Sequence, residues 1–202
     1  YNEMSGEKWE AERLVKMVRS LQPNILIDDR LVAGHNQAQR DLMFGDFASP
    51  EQIIPAEGLV NLAGEPIPWE ACVTLNQNWG YVNHSEGYKS PSSLIRTLVE
   101  CVSKNGNLLL NVGPNPHGEI PQKSVESLSS IGDWMSRNAE SIYGCGAAGI
   151  AKPEWGRYTR KGNILYAHIF DKPIGPVCLR GLKGKVRKAR LLADGSEVRI
   201  ID

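Results

Sequence analysis

Three stretches of the chain carry apolar residues at the spacing that forms one face of a helix. The first is residues 5–21, where Ser5 can cap the helix and Pro23 ends it. The other two are residues 90–104 and residues 122–138. The predicted inner faces consist of Leu14, Val15, Val18 and Leu21, of Leu94, Ile95, Leu98, Val99 and Val102, and of Val125, Leu128, Ile131, Trp134 and Met135.

Short apolar runs alternate with these helices and predict strands. Residues 24–27 and 108–110 are continuous apolar runs, typical of parallel strands that are buried on both faces, and residues 70–75 alternate weakly. Residues 31–68 show little regular pattern, and a connection of that length is usually functional or disordered. The order helix, strand, loop, strand, helix, strand, helix indicates a parallel sheet or barrel.

Polar or turn-forming residues follow each predicted strand. Asp28, Asp29 and Arg30 come directly after the first strand, and residues 76–81 and 111–114 follow the next two. Barrels of alternating strands and helices carry their chemistry at the carboxyl ends of the strands. The first two segments are therefore the first places in which to look for a site, whereas residues 107–114 are expected to be a barrel strand and its exit turn, and to belong to the scaffold.

The composition changes in the last third of the chain. Residues 144–149 are rich in Gly and Ala and look like a linker, and Asp194-Gly195 predicts a hairpin turn. We therefore divide the chain into an α/β region, residues 1–145, and the start of an all-β region, residues 146–202. The strands predicted in the second region are residues 164–170, 177–179, 186–192 and 198–201.

Charge and cysteine content exclude several classes of protein. The 202 residues include 23 basic and 23 acidic side chains, a balance that predicts neither nucleic acid nor a membrane surface as a partner. No apolar run approaches the roughly 20 residues of a membrane span. The cysteines form no Cys-x-x-Cys or Cys/His cluster, so no metal site is predicted, and Cys72 and Cys101 are expected to be buried free thiols.

Residues 45–81 combine carboxylates with large aromatic side chains. Cleavage of a glycoside requires a carboxylic acid to protonate the leaving oxygen, and a neighbouring apolar ring packs against the sugar and raises the pKa of the acid. Taken alone, the combination is weak, because most glutamates are solvated and most tryptophans belong to the core. The residues concerned are Glu51, Glu65, Glu70, Trp69 and Trp79.

Three motifs give this combination a more specific meaning. They are GDFASPEQ at residues 45–52, WEACVTLNQNWGY at residues 69–81, and SKNGNLLLNVGPNPHGEIP at residues 103–121. In this order and spacing they resemble the catalytic domain of α-L-fucosidases of glycoside hydrolase family 29, in the branch of broad substrate range. The resemblance covers about residues 1–145.

The resemblance implies a fold and an activity. The fold is the C-terminal part of a (β/α) TIM-like barrel, followed by an incomplete all-β sandwich domain. The activity is the release of terminal α-L-fucose from fucosylated glycans by a retaining double displacement, without a metal or cofactor. In that reaction an aspartate attacks the anomeric carbon and a glutamate acts first as acid and then as base.

The resemblance also assigns residues. Glu51 matches the acid/base of the family's D-F-x-T-P-E segment, in which Ser49 replaces the threonine. Arg30 matches an arginine that reaches the sugar and the catalytic carboxylates, the alternative being a salt bridge with Asp29. Glu70 competes with Glu51 for the acid/base role, and its alternative is an ion pair or a supporting contact.

Two tryptophans complete the expected sugar site. Trp79 matches the aromatic position of the x-W-G-Y segment, which packs against the apolar face and methyl group of fucose. Trp69 lies beside Glu70 and is expected to contact the substrate as well. For either ring, a place in the hydrophobic core is the alternative.

The nucleophile of the family has no match in the chain. In similar sequences the aspartate belongs to a W-F-D-G or W-x-D motif, and the first residues here resemble the segment that follows it. We therefore expect the aspartate to come from outside these residues, with a companion N-terminal barrel half or with self-association. The alternative is a non-catalytic fragment or one part of a split protein.

Overall fold

The computed structural model of the protein describes residues 10–31, 42, 44–182, 184 and 186–201. None of the helices in this part of the chain is long and apolar enough to cross a membrane. In chain order its helices and strands are α1 (Ala11–Leu21), β1 (Trp69–Thr74), α2 (Pro91–Val102), β2 (Gly106–Asn111), α3 (Gln122–Asn138), β3 (Gly146–Ala147), β4 (Gly156–Lys161) and β5 (Ile164–Ile169). The same part of the chain also contains two single 3₁₀ turns, Asp29–Leu31 and Ala139–Ser141.

A parallel layer forms the centre of the first region. Strands β1 and β2 pair in parallel over their whole length. Residues 46–52 continue the layer on the other side of β1, through the bridges Ala48↔Trp69 and Glu51↔Cys72. Residues 27–28 then follow, because Asp46 N donates to Ile27 O over 2.7 Å. The order is thus 27–28, 46–52, β1, β2, and all four segments run in the same direction.

The expectation of strands buried on both faces is wrong at two places. Residues 24–27 form no strand, and Leu26 is exposed. Within β2, Leu109 is 50% exposed. In both cases only one face of the layer is covered by helices and loops of the described chain, so an apolar side chain on the other face meets solvent.

The helices agree well with the apolar periodicity. Helix α2 begins after Ser90, whose side chain accepts a hydrogen bond from Ser93 N, and α3 has the predicted bounds. Helix α1 is described from Ala11, so the predicted start at residues 5–9 lies outside the described residues. The predicted inner faces need two corrections, since Leu21 and Val125 are exposed.

The covered face of the layer carries the main core. Trp69, Ala71 and Val73 alternate along β1 towards this face, where they pack with Ala48 and Cys101. The indole N–H of Trp69 donates to Lys104 O over 3.2 Å, and its ring lies directly over Gly106. A tryptophan is thus held by both its ring and its N–H at the start of the parallel pair.

The second region is a small antiparallel sheet in the order β3-β4-β5. The predicted linker at residues 144–149 contains β3, and Ala147 N donates to the Asn105 side chain over 2.7 Å, so this segment is packed rather than free. Strand β4 was not predicted, because its sequence GRYTRK is mostly polar. Its central Tyr158 and Thr159 are nevertheless buried.

The three strands predicted after β5 do not form. Residues 177–179, 186–192 and 198–201 contain no strand among those that are described, and only the bridge Arg190↔Glu197 pairs this segment with itself. That bridge flanks the predicted Asp194-Gly195 turn. An isolated pair of short strands has too little buried surface to be stable without a covering layer.

An ion-pair network joins the two regions. Arg157 on β4 donates to both carboxylate oxygens of Glu100 on α2, over 2.6 and 2.5 Å, and Lys104 lies 2.9 Å from the same carboxylate. Burial alone would raise the pKa of Glu100, but the hydrogen bonds from Arg157 and Lys104 outweigh it and lower that pKa. The carboxylate therefore stays charged at the contact between helix and sheet.

The packing of Trp69 can be tested by a substitution at Gly106. A Cβ atom at this position would overlap the Trp69 ring, which is buried and held by its N–H bond to Lys104 O. We expect Gly106→Ala to lower the free energy of unfolding by about 1–3 kcal/mol, measured by urea denaturation. Gly132→Ala is the matched control: Gly132 lies in α3 with nothing near its Cβ position, so this change should be neutral or stabilising. Equal losses in both variants would contradict the packing argument.

His168 tests the contact between β5 and α3. Its Nε2 lies 2.9 Å from Thr159 Oγ1, whose own proton goes to Ser141 O, and Trp134 packs against the imidazole ring. Burial lowers the pKa of His168 to about 4, against the opposing effect of a backbone hydrogen bond with Ser141. As the pH falls, the unfolded chain binds a proton on this histidine before the folded chain does. The free energy of unfolding therefore decreases as the pH falls from about 6.5 towards 4.

We expect the wild-type protein to lose up to about 2 kcal/mol of unfolding free energy between pH 7 and pH 5 through this group. His168→Gln should lose less over the same interval. His117→Gln, at an exposed histidine, should keep the wild-type pH dependence. Urea denaturation at both pH values measures this difference. If His168→Gln loses as much unfolding free energy between pH 7 and pH 5 as the wild type, His168 is not the group responsible.

Candidate active site

The polar segments that follow the strands meet at one edge of the parallel layer. Residues 28–30, the end of the 46–52 segment, and the loops after β1 and β2 all lie at carboxyl ends. Parallel neighbours place these ends on the same side of the sheet. These segments therefore lie at one edge of the layer in the described part of the chain.

One face of the layer carries the charged side chains. Successive residues of a strand point to opposite faces, and directly paired residues point to the same face. Glu51 pairs with Cys72, so both share a face with Glu70, opposite to Trp69 and the core. Asp28, which pairs with Phe47, belongs to the same face as Glu51. This is also the face on which Leu109 is exposed.

Arg30 links two residues of the 46–52 segment. Its Nη1 donates to Glu51 Oε2 over 2.8 Å, and its Nε donates to Ser49 Oγ over 2.9 Å. The Arg30 and Glu51 side chains are 19% and 33% exposed, so the pair is partly shielded but open to a ligand. The guanidinium thus fixes the position of the Glu51 carboxylate and leaves one side of it accessible.

The two aspartates before Arg30 hold the backbone around this pair. Asp29 is buried, and its Oδ1 accepts from Ser49 N over 2.9 Å, while Asp28 Oδ1 accepts from Arg30 N over 3.1 Å. Asp29 therefore ties the 28–30 segment to the 46–52 segment, while Asp28 holds the turn within its own segment.

Glu70 and Cys72 lie beside the pair on β1. Burial raises the pKa of Glu70, and the nearby charge of Asp28 raises it further. Burial also raises the pKa of the Cys72 thiol, Arg30 partly opposes this rise, and the nearby carboxylates add to it. Cys72 was predicted to be a buried free thiol; it is only partly buried, and its place two residues after Glu70 on the same strand puts it among these charged groups. The alternation of side chains along a strand would have placed Cys72 on this face from the sequence alone.

The structure separates the two tryptophans. Trp69 is 2% exposed and lies on the core face, so the prediction that it contacts substrate is wrong for this structure: its neighbour Glu70 points the other way. Trp79 is 39% exposed in the loop after β1, and its carbonyl accepts from the Asn111 side chain over 2.7 Å. This contact ties the loops after β1 and β2 together.

The arrangement of Arg30, Glu51 and Glu70 is suited to proton transfer. A carboxylate held by a guanidinium, with a second carboxyl group whose pKa is raised, is a common setting for general acid–base catalysis. Among the residues that the structure describes, no group of three His, Cys, Asp or Glu side chains could hold a metal ion. Arg30, Glu51 and Glu70 are thus gathered on one face, with Trp79 in a neighbouring loop.

Comparisons with known proteins agree with this geometry. The family model described as α-L-fucosidase matches residues 1–140. The structure resembles α-L-fucosidase isoenzyme 1 from Paenibacillus thiaminolyticus, with 62% identity and a TM-score of 0.92, and the match covers 100% of this chain and 48% of that one. The chain thus spans about half the length of this relative.

Two further relatives are more distant. A family 29 α-L-fucosidase from Bacteroides thetaiotaomicron, solved as a trapped covalent intermediate with 2-fluoro-fucosyl fluoride, is 29% identical with a TM-score of 0.77, over 96% of this chain and 47% of that one. The α-L-fucosidase of Dictyostelium discoideum is 37% identical over 111 residues, which is 52% of this chain and 24% of that protein. Since the family model matches well over half of the residues, the chain belongs to the α-L-fucosidases of glycoside hydrolase family 29.

Proposed function

We propose that this chain contributes the acid/base side of a retaining α-L-fucosidase active site, which releases terminal α-L-fucose from glycans. The observation that carries the proposal is the Arg30–Glu51 pair at the carboxyl edge of the parallel layer. Family membership supplies the reaction class, and the pair supplies a carboxyl group with a fixed orientation. No metal or cofactor is part of the proposal.

Glu51 is proposed as the general acid/base. In the first step it gives a proton to the leaving oxygen and becomes a carboxylate, which the Arg30 guanidinium stabilises at 2.8 Å. In the second step the same carboxylate takes a proton from water, which then attacks the sugar. Arg30 therefore acts by holding Glu51 in one orientation through both steps, and Ser49 fixes the guanidinium in turn.

Glu70 and Trp79 are proposed to bind the sugar. Burial and the charge of Asp28 raise the pKa of Glu70, and its carboxyl group shares the face of Glu51, where it can form a hydrogen bond with a sugar hydroxyl group. Trp79 offers an exposed ring beside this edge. A 6-deoxy sugar presents a methyl group and C–H bonds to such a ring, and burial of each carbon is worth about 0.8 kcal/mol.

The nucleophilic aspartate is proposed to come from polypeptide outside residues 1–202. A retaining pair needs carboxyl groups about 5–5.5 Å apart, and a covalent intermediate such as that of the Bacteroides enzyme requires a nucleophile. The charged face of the layer is uncovered at Leu109, and the chain spans about half of its solved relatives. These observations favour further barrel strands, which would pair at the open edges.

The domain division belongs to the same proposal. Residues 1–145 would form the C-terminal half of a (β/α) barrel, and residues 146–202 the start of a β-sandwich domain. The parallel order of the first region and the antiparallel β3-β4-β5 sheet of the second support it. A chain with such open edges would associate with a companion half or with itself. The alternative function is a non-catalytic part of a split protein.

The first test is hydrolysis of 4-nitrophenyl α-L-fucoside. We expect the chain alone to be inactive, because the nucleophile is proposed to lie outside residues 1–202. A chimera that joins it to the part of the Paenibacillus enzyme outside the matched region should be active, and Glu51→Gln in that chimera should remove most of the activity. Turnover by the chain alone that depends on Glu51 would mean that the nucleophile lies within these residues.

The second test separates Glu51 from Glu70 in the active chimera. Glu51→Gln should lower kcat about 10²–10⁴-fold on a natural fucoside and less on an activated aryl fucoside, whose leaving group needs no proton. Azide should restore part of the rate. Glu70→Gln should mainly raise KM, with no azide rescue. If azide rescues Glu70→Gln instead, the roles of the two glutamates are reversed.

A further inference from the structure

A second concave site lies at the same sheet edge as Glu51, between the loop after β1 and the start of α3. Its cavity measures about 280 Å³. The loops after β1 and β2 form two of its walls, and the first turn of α3 forms a third. Gln52, which follows Glu51, donates through its side chain to Thr74 Oγ1 over 2.8 Å, and the wall begins at the next residue, Leu75.

The lining of this cavity contains no carboxylate. Its titratable groups are His84, Lys123 and two tyrosines, and the remaining polar residues are amides and serines. Lys123 Nζ lies 5.7 Å from the centre of the Tyr88 ring, so the ring holds the ammonium group at the cavity wall. The neighbouring Glu51 face is rich in carboxylates, and the two sites therefore differ in charge.

The first turn of α3 adds positive potential. The helix has no acidic residue in this turn, and no side chain caps it. The N–H groups of Ser124 and Val125 donate to Pro121 O, whereas those of Gln122 and Lys123 have no partner among the described residues. Free N–H groups at the start of a 17-residue helix are suited to binding an anion.

Ser124 provides an independent indication of a ligand. Its side chain belongs to the lining and the residue is 3% exposed, yet its hydroxyl has no hydrogen-bond partner within the described part of the chain. The oxygen itself is accessible from the cavity although the rest of the residue is enclosed, so the hydroxyl can donate a hydrogen bond to whatever occupies the cavity. A ligand oxygen in the cavity would accept this bond.

We propose that this cavity binds an oxyanion carried by the glycan substrate, a sulfate ester or a carboxylate on a sugar near the cleaved fucose. This rests on the proposed function only for the identity of the ligand as a glycan. Lys123 supplies the positive charge. Hydrogen-bond donors to the anion come from the backbone N–H groups of Gln122 and Lys123 and from the Ser124 hydroxyl. A cavity of about 280 Å³ has room for a sugar ring as well as the anion.

Isothermal titration calorimetry tests the proposal by direct binding, so the outcome does not depend on catalysis. The probes are galactose 6-sulfate, galactose and sodium sulfate, titrated into the full chain and into Glu51→Gln. We expect galactose 6-sulfate to bind more tightly than either other probe, equally in both proteins. Loss of one charge-assisted contact in Lys123→Gln should weaken it about tenfold, and Ser124→Ala should weaken it several-fold.

Lys152→Gln is the matched control, because Lys152 is an exposed lysine outside the cavity, and it should leave the Kd unchanged. Circular dichroism verifies that each variant is folded. Equal binding of galactose and galactose 6-sulfate, or an unchanged Kd in Lys123→Gln, would overturn the anion site. Equal binding of sodium sulfate and galactose 6-sulfate would overturn the glycan as the ligand. These binding results do not depend on fucosidase activity, so they remain valid even if the hydrolysis test finds no activity.

Discussion

The parallel pairing of residues 46–52 with β1 is the constraint on which the rest of the site depends. Four backbone hydrogen bonds of 2.8–2.9 Å set its register, and they alternate between the two segments. A slip of one residue would turn Glu51 towards the core and Ala48 towards solvent, since the side chains of a strand alternate. The Arg30–Glu51 pair, the exposure of Glu51 and the burial of Trp69 all follow from this one register.

Periodicity predicted the helices well, because their inner faces recur at a spacing that tertiary context does not disturb. Helix α3 has the predicted bounds, and α2 begins one residue after the predicted start and ends two residues before the predicted end. Strand β4 was missed because its burial depends on α2, through the Glu100–Arg157 contact, and on β5, both distant in sequence. Residues 144–149 look like a linker for the same reason: the contact of Ala147 with Asn105 is not visible in composition.

The candidate site was predictable to the extent that motifs mark it. Glu51 and Arg30 were found in two separate segments, and the ion pair between them needs the fold to bring them together. Trp69 was misassigned because nearness to Glu70 in sequence means opposite faces in a strand. Cys72 could have been placed on the site face by the same period. The exposure of Leu109 could not, since it depends on what covers the sheet.

The two proposed sites at this edge differ in charge, and this difference would orient a bound substrate. Asp28 and Glu51 contribute negative charge on one side, so under the proposed function a neutral 6-deoxy sugar would be accepted there, whereas a sulfate or carboxylate would be repelled. The cavity at the start of α3 has no carboxylate and carries Lys123. A glycan with a neutral terminal sugar and an anionic neighbour would therefore be bound in one orientation only, with the terminal sugar beside Glu51. Electrostatic complementarity of this kind would act on the choice of substrate before any contact with Glu51, the proposed acid/base, is made.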